Sequence, residues 1–130
     1  MIDKIGLLLV EDESLILGTL KEVLIEAGFD ITTATNGFEA LAALDKDGQD
    51  LAGLISDIRL GEGPDGWDVA RHARELAPAF PVVYMSGDSV AHWSAQGVPN
   101  SEILQKPFAA VQLVTAISNL LNELAKGVTK

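Results

Sequence analysis

The chain has 130 residues, with 19 acidic side chains against 9 lysines and arginines, so its formal net charge is −10; that length suits one domain. Hydrophobic residues make up 48%, enough for a single buried core and unlike a disordered composition. The absence of cysteine excludes structural disulfides, Cys-ligated zinc, iron–sulfur clusters and thiol catalysis. The acidic excess disfavours direct contact with nucleic acid or anionic lipid and suits a cation. No apolar run approaches a bilayer span, and Met1-Ile2-Asp3-Lys4 lacks the pattern of a signal peptide. A soluble, cytoplasmic domain over 1–130, with its core at about 5–124, is expected.

Short aliphatic runs alternate with longer amphipathic stretches, in chain order as follows. Ile5 to Val10 is a continuous apolar run, the mark of a strand covered on both faces. Ile16, Leu20, Val23, Leu24 and Ala27 recur at helical spacing, with a cap at Asp12 or Ser14 and a stop at Gly28. Phe29 to Thr35 reads as a second strand, Gly37 to Leu44 as a second helix, and Leu51 to Ser56 as a third strand. A Gly/Pro-rich loop covers Arg59 to Gly66. Val69, Ala70, Ala73, Leu76 and Ala77 mark a third helix, stopped by Pro78, and Pro81 to Met85 is a fourth strand. Asp88 to Gln96 is a short helix with little apolar face, Ile103 to Gln105 a fifth strand, and Ala110 to Leu124 the clearest amphipathic helix. Five strand–helix alternations imply an α/β fold, a mostly parallel sheet with helices on both faces and right-handed crossovers. The order of the strands is left open by these patterns.

In open α/β sheets, ligands bind outside the carboxyl ends of the strands. Glu11 and Asp12 follow the first strand and Asp57 ends the third; Ser86, Gly87 and Asp88 follow the fourth, and Lys106-Pro107 the fifth. Clustered carboxylates repel one another unless a cation compensates. Hard oxygen donors without His or Cys favour Mg²⁺ or Mn²⁺ over zinc, and few carboxylates with room for water and a phosphoryl oxygen suit Mg²⁺. A lysine and a hydroxyl beside them complete a set able to surround a phosphoryl group. A strand-end cap or a solvated charge accounts for any one of these residues alone; the whole set on one sheet edge points to a site. Elsewhere, His72 and His92 read as surface histidines, Trp67 packs its helix onto the sheet, and Trp93 is either partly buried core or an exposed anchor for a partner.

Leu7-Leu8-Leu9-Val10-Glu11-Asp12-Glu13, Asp57 after its apolar strand, Met85-Ser86-Gly87 and Lys106-Pro107-Phe108 together resemble the receiver domain of two-component response regulators, over almost the whole chain. The resemblance implies a doubly wound five-stranded parallel sheet of order 2-1-3-4-5. It makes Asp57 the phosphoacceptor, fed by a phosphohistidine of a sensor histidine kinase or phosphotransfer protein. Glu11, Asp12, Asp57 and the backbone carbonyl of Arg59 would hold Mg²⁺. Lys106 would pair with the phosphoryl oxygens through a typically cis bond to Pro107, and Ser86 would turn inward to the phosphoryl group. The expected protein is a switch, not a turnover enzyme. It would meet a downstream protein through its fourth helix, fifth strand and fifth helix, without touching nucleic acid or membrane.

Two features depart from the family pattern. Receivers usually carry an aromatic residue three positions before the lysine, and this chain has Ile103 there. The loop after Asp57 usually has a Met-Pro pair, whereas Ile58 to Gly66 places its proline late, at Pro64, and one residue is added. A degenerate receiver acting as a constitutive adaptor is therefore one alternative, and a receiver fragment of a hybrid histidine kinase another. A Mg²⁺-dependent phosphatase would want an acid two residues past its nucleophile, where Arg59 stands. Because the chain stops soon after the last helix, a stand-alone receiver is expected.

Overall fold

A computed structural model describes residues 4–126; the outermost termini of the 1–130 domain lie outside them. Strands β1 (Gly6–Val10), β2 (Asp30–Ala34), β3 (Gly53–Asp57), β4 (Val82–Ser86) and β5 (Glu102–Gln105) alternate with helices α1 (Ser14–Glu26), α2 (Gly37–Asp47), α3 (Gly66–Leu76), α4 (Trp93–Gln96) and α5 (Ala110–Ala125). The strands form one parallel sheet in the order β2-β1-β3-β4-β5. The fold class and strand order are those expected for a flavodoxin-like receiver.

The apolar run of β1 is solvent-free from Leu7 to Val10 because both sheet faces are covered. Alternation along the strand sends successive side chains to opposite faces. Leu7 and Leu9 join Ile55, Val83 and Met85 beneath Leu20 and Leu24 of α1 and Leu113 and Ile117 of α5. Leu8 and Val10 join Leu54, Val82 and Tyr84 beneath Ala40 and Leu44 of α2 and Val69, Ala70 and Ala73 of α3. Two cores thus sandwich the sheet and hold its carboxyl edge rigid. No helix among the described residues is long and apolar enough to cross a membrane.

Two local expectations are corrected. Neither Asp12 nor Ser14 caps α1: its N-cap is Glu13, with no side-chain cap bond. The Glu13 N–H instead donates to the Glu11 carboxylate at 3.2 Å, and Asp12 faces the site described below. The predicted helix over Asp88 to Gln96 is a 3₁₀ turn, Val90–His92, followed by only four α-helical residues. With little apolar stripe to bury, that stretch gains too little from packing to complete a longer helix. By contrast, α3 starts earlier than its apolar pattern shows. Asp65 and Asp68 exchange side-chain-to-backbone bonds of 3.0 and 3.1 Å, a reciprocal cap that fixes the first turn.

Candidate functional site

Parallel register brings the strand ends level. Val10 lies opposite Ser56, Asp57 opposite Met85, and Ser86 opposite Gln105, so the residue after each strand emerges on one edge. Glu11 is anchored there by its own backbone, whose N–H donates to the Ala34 carbonyl at 3.1 Å. Lys106 is fixed similarly, its N–H donating to the Ser86 carbonyl at 2.7 Å. Side-chain exposure is 0% for Glu11, 12% for Asp57 and 25% for Lys106.

The Lys106 ammonium lies 2.9 Å from Glu11 Oε1 and 3.4 Å from Asp57 Oδ2. It therefore bridges two carboxylates whose strands are separated in sequence but adjacent in the sheet. Asp57 Oδ1 accepts the Ile58 N–H at 3.0 Å. Carboxylate oxygens of Glu11, Asp12 and Asp57 all lie within 4.8 Å of one another. Burial raises the pKa of Asp57 against the opposing pull of Lys106, and the nearby Asp12 charge adds to the rise. Glu11 is raised as well, again chiefly by burial, with its bonds to Lys106 and the Glu13 amide opposing. Burial pushes Lys106 down, but its bonds and charge contacts to Glu11 and Asp57 outweigh that and raise it. One ammonium therefore serves two buried carboxylates, with the exposed Asp12 carboxylate beside them, which leaves an excess of negative charge in the cluster. A second, divalent cation would relieve it. The donor set is all hard oxygen with one exposed member, Asp12, which leaves room for water and fits Mg²⁺.

The Ser86 hydroxyl stands on the same edge but accepts the Asp88 N–H at 3.2 Å and the Ser89 N–H at 2.6 Å. Its partners are the amides of the next loop. Two contacts lie beyond a reading of the sequence. Arg59, two residues after Asp57, pairs with Asp88 across the edge, Nε to Oδ2 at 2.8 Å. Gly66 backs onto the acceptor: a Cβ there would collide with the Asp57 carbonyl. The first joins residues 29 apart, and only their shared position after strand ends hints at it. His72 is paired rather than free, with Asp45 at 2.6 Å and Glu75 at 3.4 Å. Trp67 packs α3 on the sheet against Tyr84, ring centroids 4.7 Å apart, and Trp93 is half-buried against the same core.

A doubly wound sheet of this order, with three carboxylates, a lysine and a serine on its carboxyl edge, defines a receiver-type α/β domain. The chain belongs to the response regulator receiver domain family, whose pattern matches residues 7–118. It is 31% identical over 119 residues to the transcriptional regulatory protein TrcR of Mycobacterium tuberculosis, covering 90% of this chain and 45% of that protein. It is 28% identical over 122 residues to the response regulator SaeR of Staphylococcus aureus, covering 92% and 52%. The chain thus spans about half the length of the curated relatives it matches. Among solved structures, a response regulator receiver protein from Sinorhizobium medicae is 44% identical with a TM-score of 0.89, over 92% of this chain and 96% of that one. The receiver domain of a sensor histidine kinase from Pseudomonas aeruginosa, solved with magnesium in its active site cleft, is 21% identical with a TM-score of 0.79, over 92% and 99%. That last likeness is one of fold.

Proposed function

We propose that the chain is a phosphorylation switch that takes a phosphoryl group onto Asp57 from a phosphohistidine of a sensor kinase or phosphotransfer protein. The observation that carries the proposal is the Lys106 ammonium held between Glu11 and Asp57, within a group of three carboxylates on the ligand-binding edge of the sheet. A carboxylate oxygen of Asp57 attacks phosphorus in line. The new O–P bond forms as the P–N bond to the donor imidazole breaks, with the electron pair leaving on the ring nitrogen. Lys106 then turns part of its charge from Asp57 to the phosphoryl oxygens, and Glu11 keeps the lysine in place. Glu11, Asp12, Asp57 and the Arg59 backbone carbonyl would hold Mg²⁺, which neutralises charge on the phosphoryl oxygens when bound. Ser86 supplies a hydroxyl donor to those oxygens after rotating from its loop partners. Water returns Asp57 to the free acid by hydrolysing the acyl phosphate, so the chain resets without acting as a turnover enzyme.

A cytoplasmic location and output through protein contact complete the proposal; the surface around α4, β5 and α5 is where a target would read the state. The test is a profile of phosphotransfer from the phosphorylated histidine kinases of the source organism to the parent chain and to Asp57→Asn. One kinase should label the parent within seconds and leave the variant unlabelled. Equal labelling of the two would overturn the assignment.

A further inference from the structure

Phosphoryl capture by Ser86 has a local cost that the surrounding bonds direct. Ser86 Oγ accepts the Ser89 N–H at 2.6 Å and the Asp88 N–H at 3.2 Å, and Ser89 is buried. Rotating the Ser86 side chain so that Oγ itself moves to a phosphoryl oxygen takes it away from both amides, and a buried amide without an acceptor forces its segment to move. The Asp88 carboxylate is otherwise held by the hydroxyl of buried Ser89 at 2.9 Å and, in the open, by the Arg59 guanidinium.

Past Trp93 the chain is fastened by a different set of groups. Trp93 Nε1 donates to Ser101 Oγ at 2.9 Å, and Ser101 Oγ donates to the Val98 carbonyl at 2.6 Å. The Val98 N–H donates at 3.0 Å to the hydroxyl of Tyr84, a fully buried side chain of β4 wedged against Trp67. Arg71 of α3 donates to the carbonyl and side chain of Gln96 at 3.2 and 2.6 Å. Arg74 donates to the Pro99 carbonyl at 2.6 Å. The Trp93 ring lies on Gly97, where a Cβ would collide with it. Tyr84 pairs across the sheet with Ile103; the aromatic bulk here comes from β4, α3 and α4, and β5 contributes a half-buried aliphatic side chain.

We infer that phosphorylation reorganises residues 87–92 alone, because Tyr84, Arg71, Arg74 and Trp93 clasp residues 93–101 and keep β5 out of the movement. The inference rests on Asp57 being the phosphoacceptor and names the element that the modification displaces. Within the surface around α4, β5 and α5, the state-dependent part is then the turn leading into α4, which carries Gly87, Asp88, Ala91 and His92, all exposed.

Amide-resolved hydrogen exchange on the full chain, with Mg²⁺ and with or without acetyl phosphate, tests this, with intact mass recording phosphoryl uptake in the same samples. Exchange at the Asp88 and Ser89 amides should accelerate by about fivefold or more, the scale of one lost buried hydrogen bond, while 102–105 stays unchanged. Uptake accompanied by equal changes at 87–92 and 102–105 overturns the inference and leaves the phosphoacceptor assignment standing. Absence of uptake overturns both. Tyr84→Phe should take up phosphate as the parent does and let the change spread to Val98 and β5.

Discussion

Lys106 holds Glu11 at 2.9 Å while Glu11 has no exposure at all, so the lysine is the main compensation for a buried charge. Lys106→Ala leaves that carboxylate unpaired, and the expected loss is about 2 kcal/mol at neutral pH, measured by urea denaturation in EDTA. Asp57 works in the opposite direction. Its folded pKa is raised above the ordinary 3.8, so in the window just above that value the folded chain binds more protons than the unfolded one. Its contribution therefore favours folding at low pH and turns unfavourable as pH rises through the folded pKa. Asp57→Asn should thus stabilise the chain at pH 7 in EDTA by on the order of 1 kcal/mol, with the gain shrinking as pH falls toward the ordinary carboxylate range. Mg²⁺ should raise the melting temperature of the parent through mass action. Asp12→Asn and Asp57→Asn should each reduce that rise, and an equal rise in all three proteins would remove the cation from this cluster.

The elements around the site differ in what holds them. The first turn of α3 depends on the reciprocal Asp65–Asp68 cap, so Asp65→Ala should cost about 1 kcal/mol with an unchanged denaturant slope. The Arg59–Asp88 pair is open to water on both sides. Arg59→Ala should therefore change stability by less than about 0.5 kcal/mol, and a larger loss would mean the pair holds the two loops more firmly than a screened surface bridge does.

The same contrast explains what the sequence disclosed. The Leu7 to Val10 run and the stripe from Leu113 to Leu120 are legible because burial on two faces or on one leaves a period in the chain. The carboxylates and Lys106 are legible because each directly follows such a run. The α1 cap was ambiguous, since Asp12, Glu13 and Ser14 are all polar and only their surroundings decide which faces the site. The length of α4 is not legible, because the order around it comes from Tyr84, Arg71 and Arg74. Those bonds span 14 to 25 residues, and neither composition nor period records them.

At the scale of the whole molecule, a sheet covered on both faces leaves one edge for chemistry, and the two cores hold its four contributing strand ends in fixed register. The charge of −10 is then of two kinds: a buried cluster whose repulsion the fold tolerates, and a solvated remainder. A single phosphoryl group placed on that cluster adds negative charge beside Lys106 and draws on Ser86, which links the edge to the 87–92 turn. The measurement closest to that claim is intact mass and peptide mapping of the parent and Asp57→Asn after acetyl phosphate, with Mg²⁺ or with EDTA. One phosphoryl group on the peptide containing Asp57, present with Mg²⁺ and lost in EDTA and in the variant, is the predicted result. Equal incorporation into Asp57→Asn, or incorporation indifferent to EDTA, would contradict it.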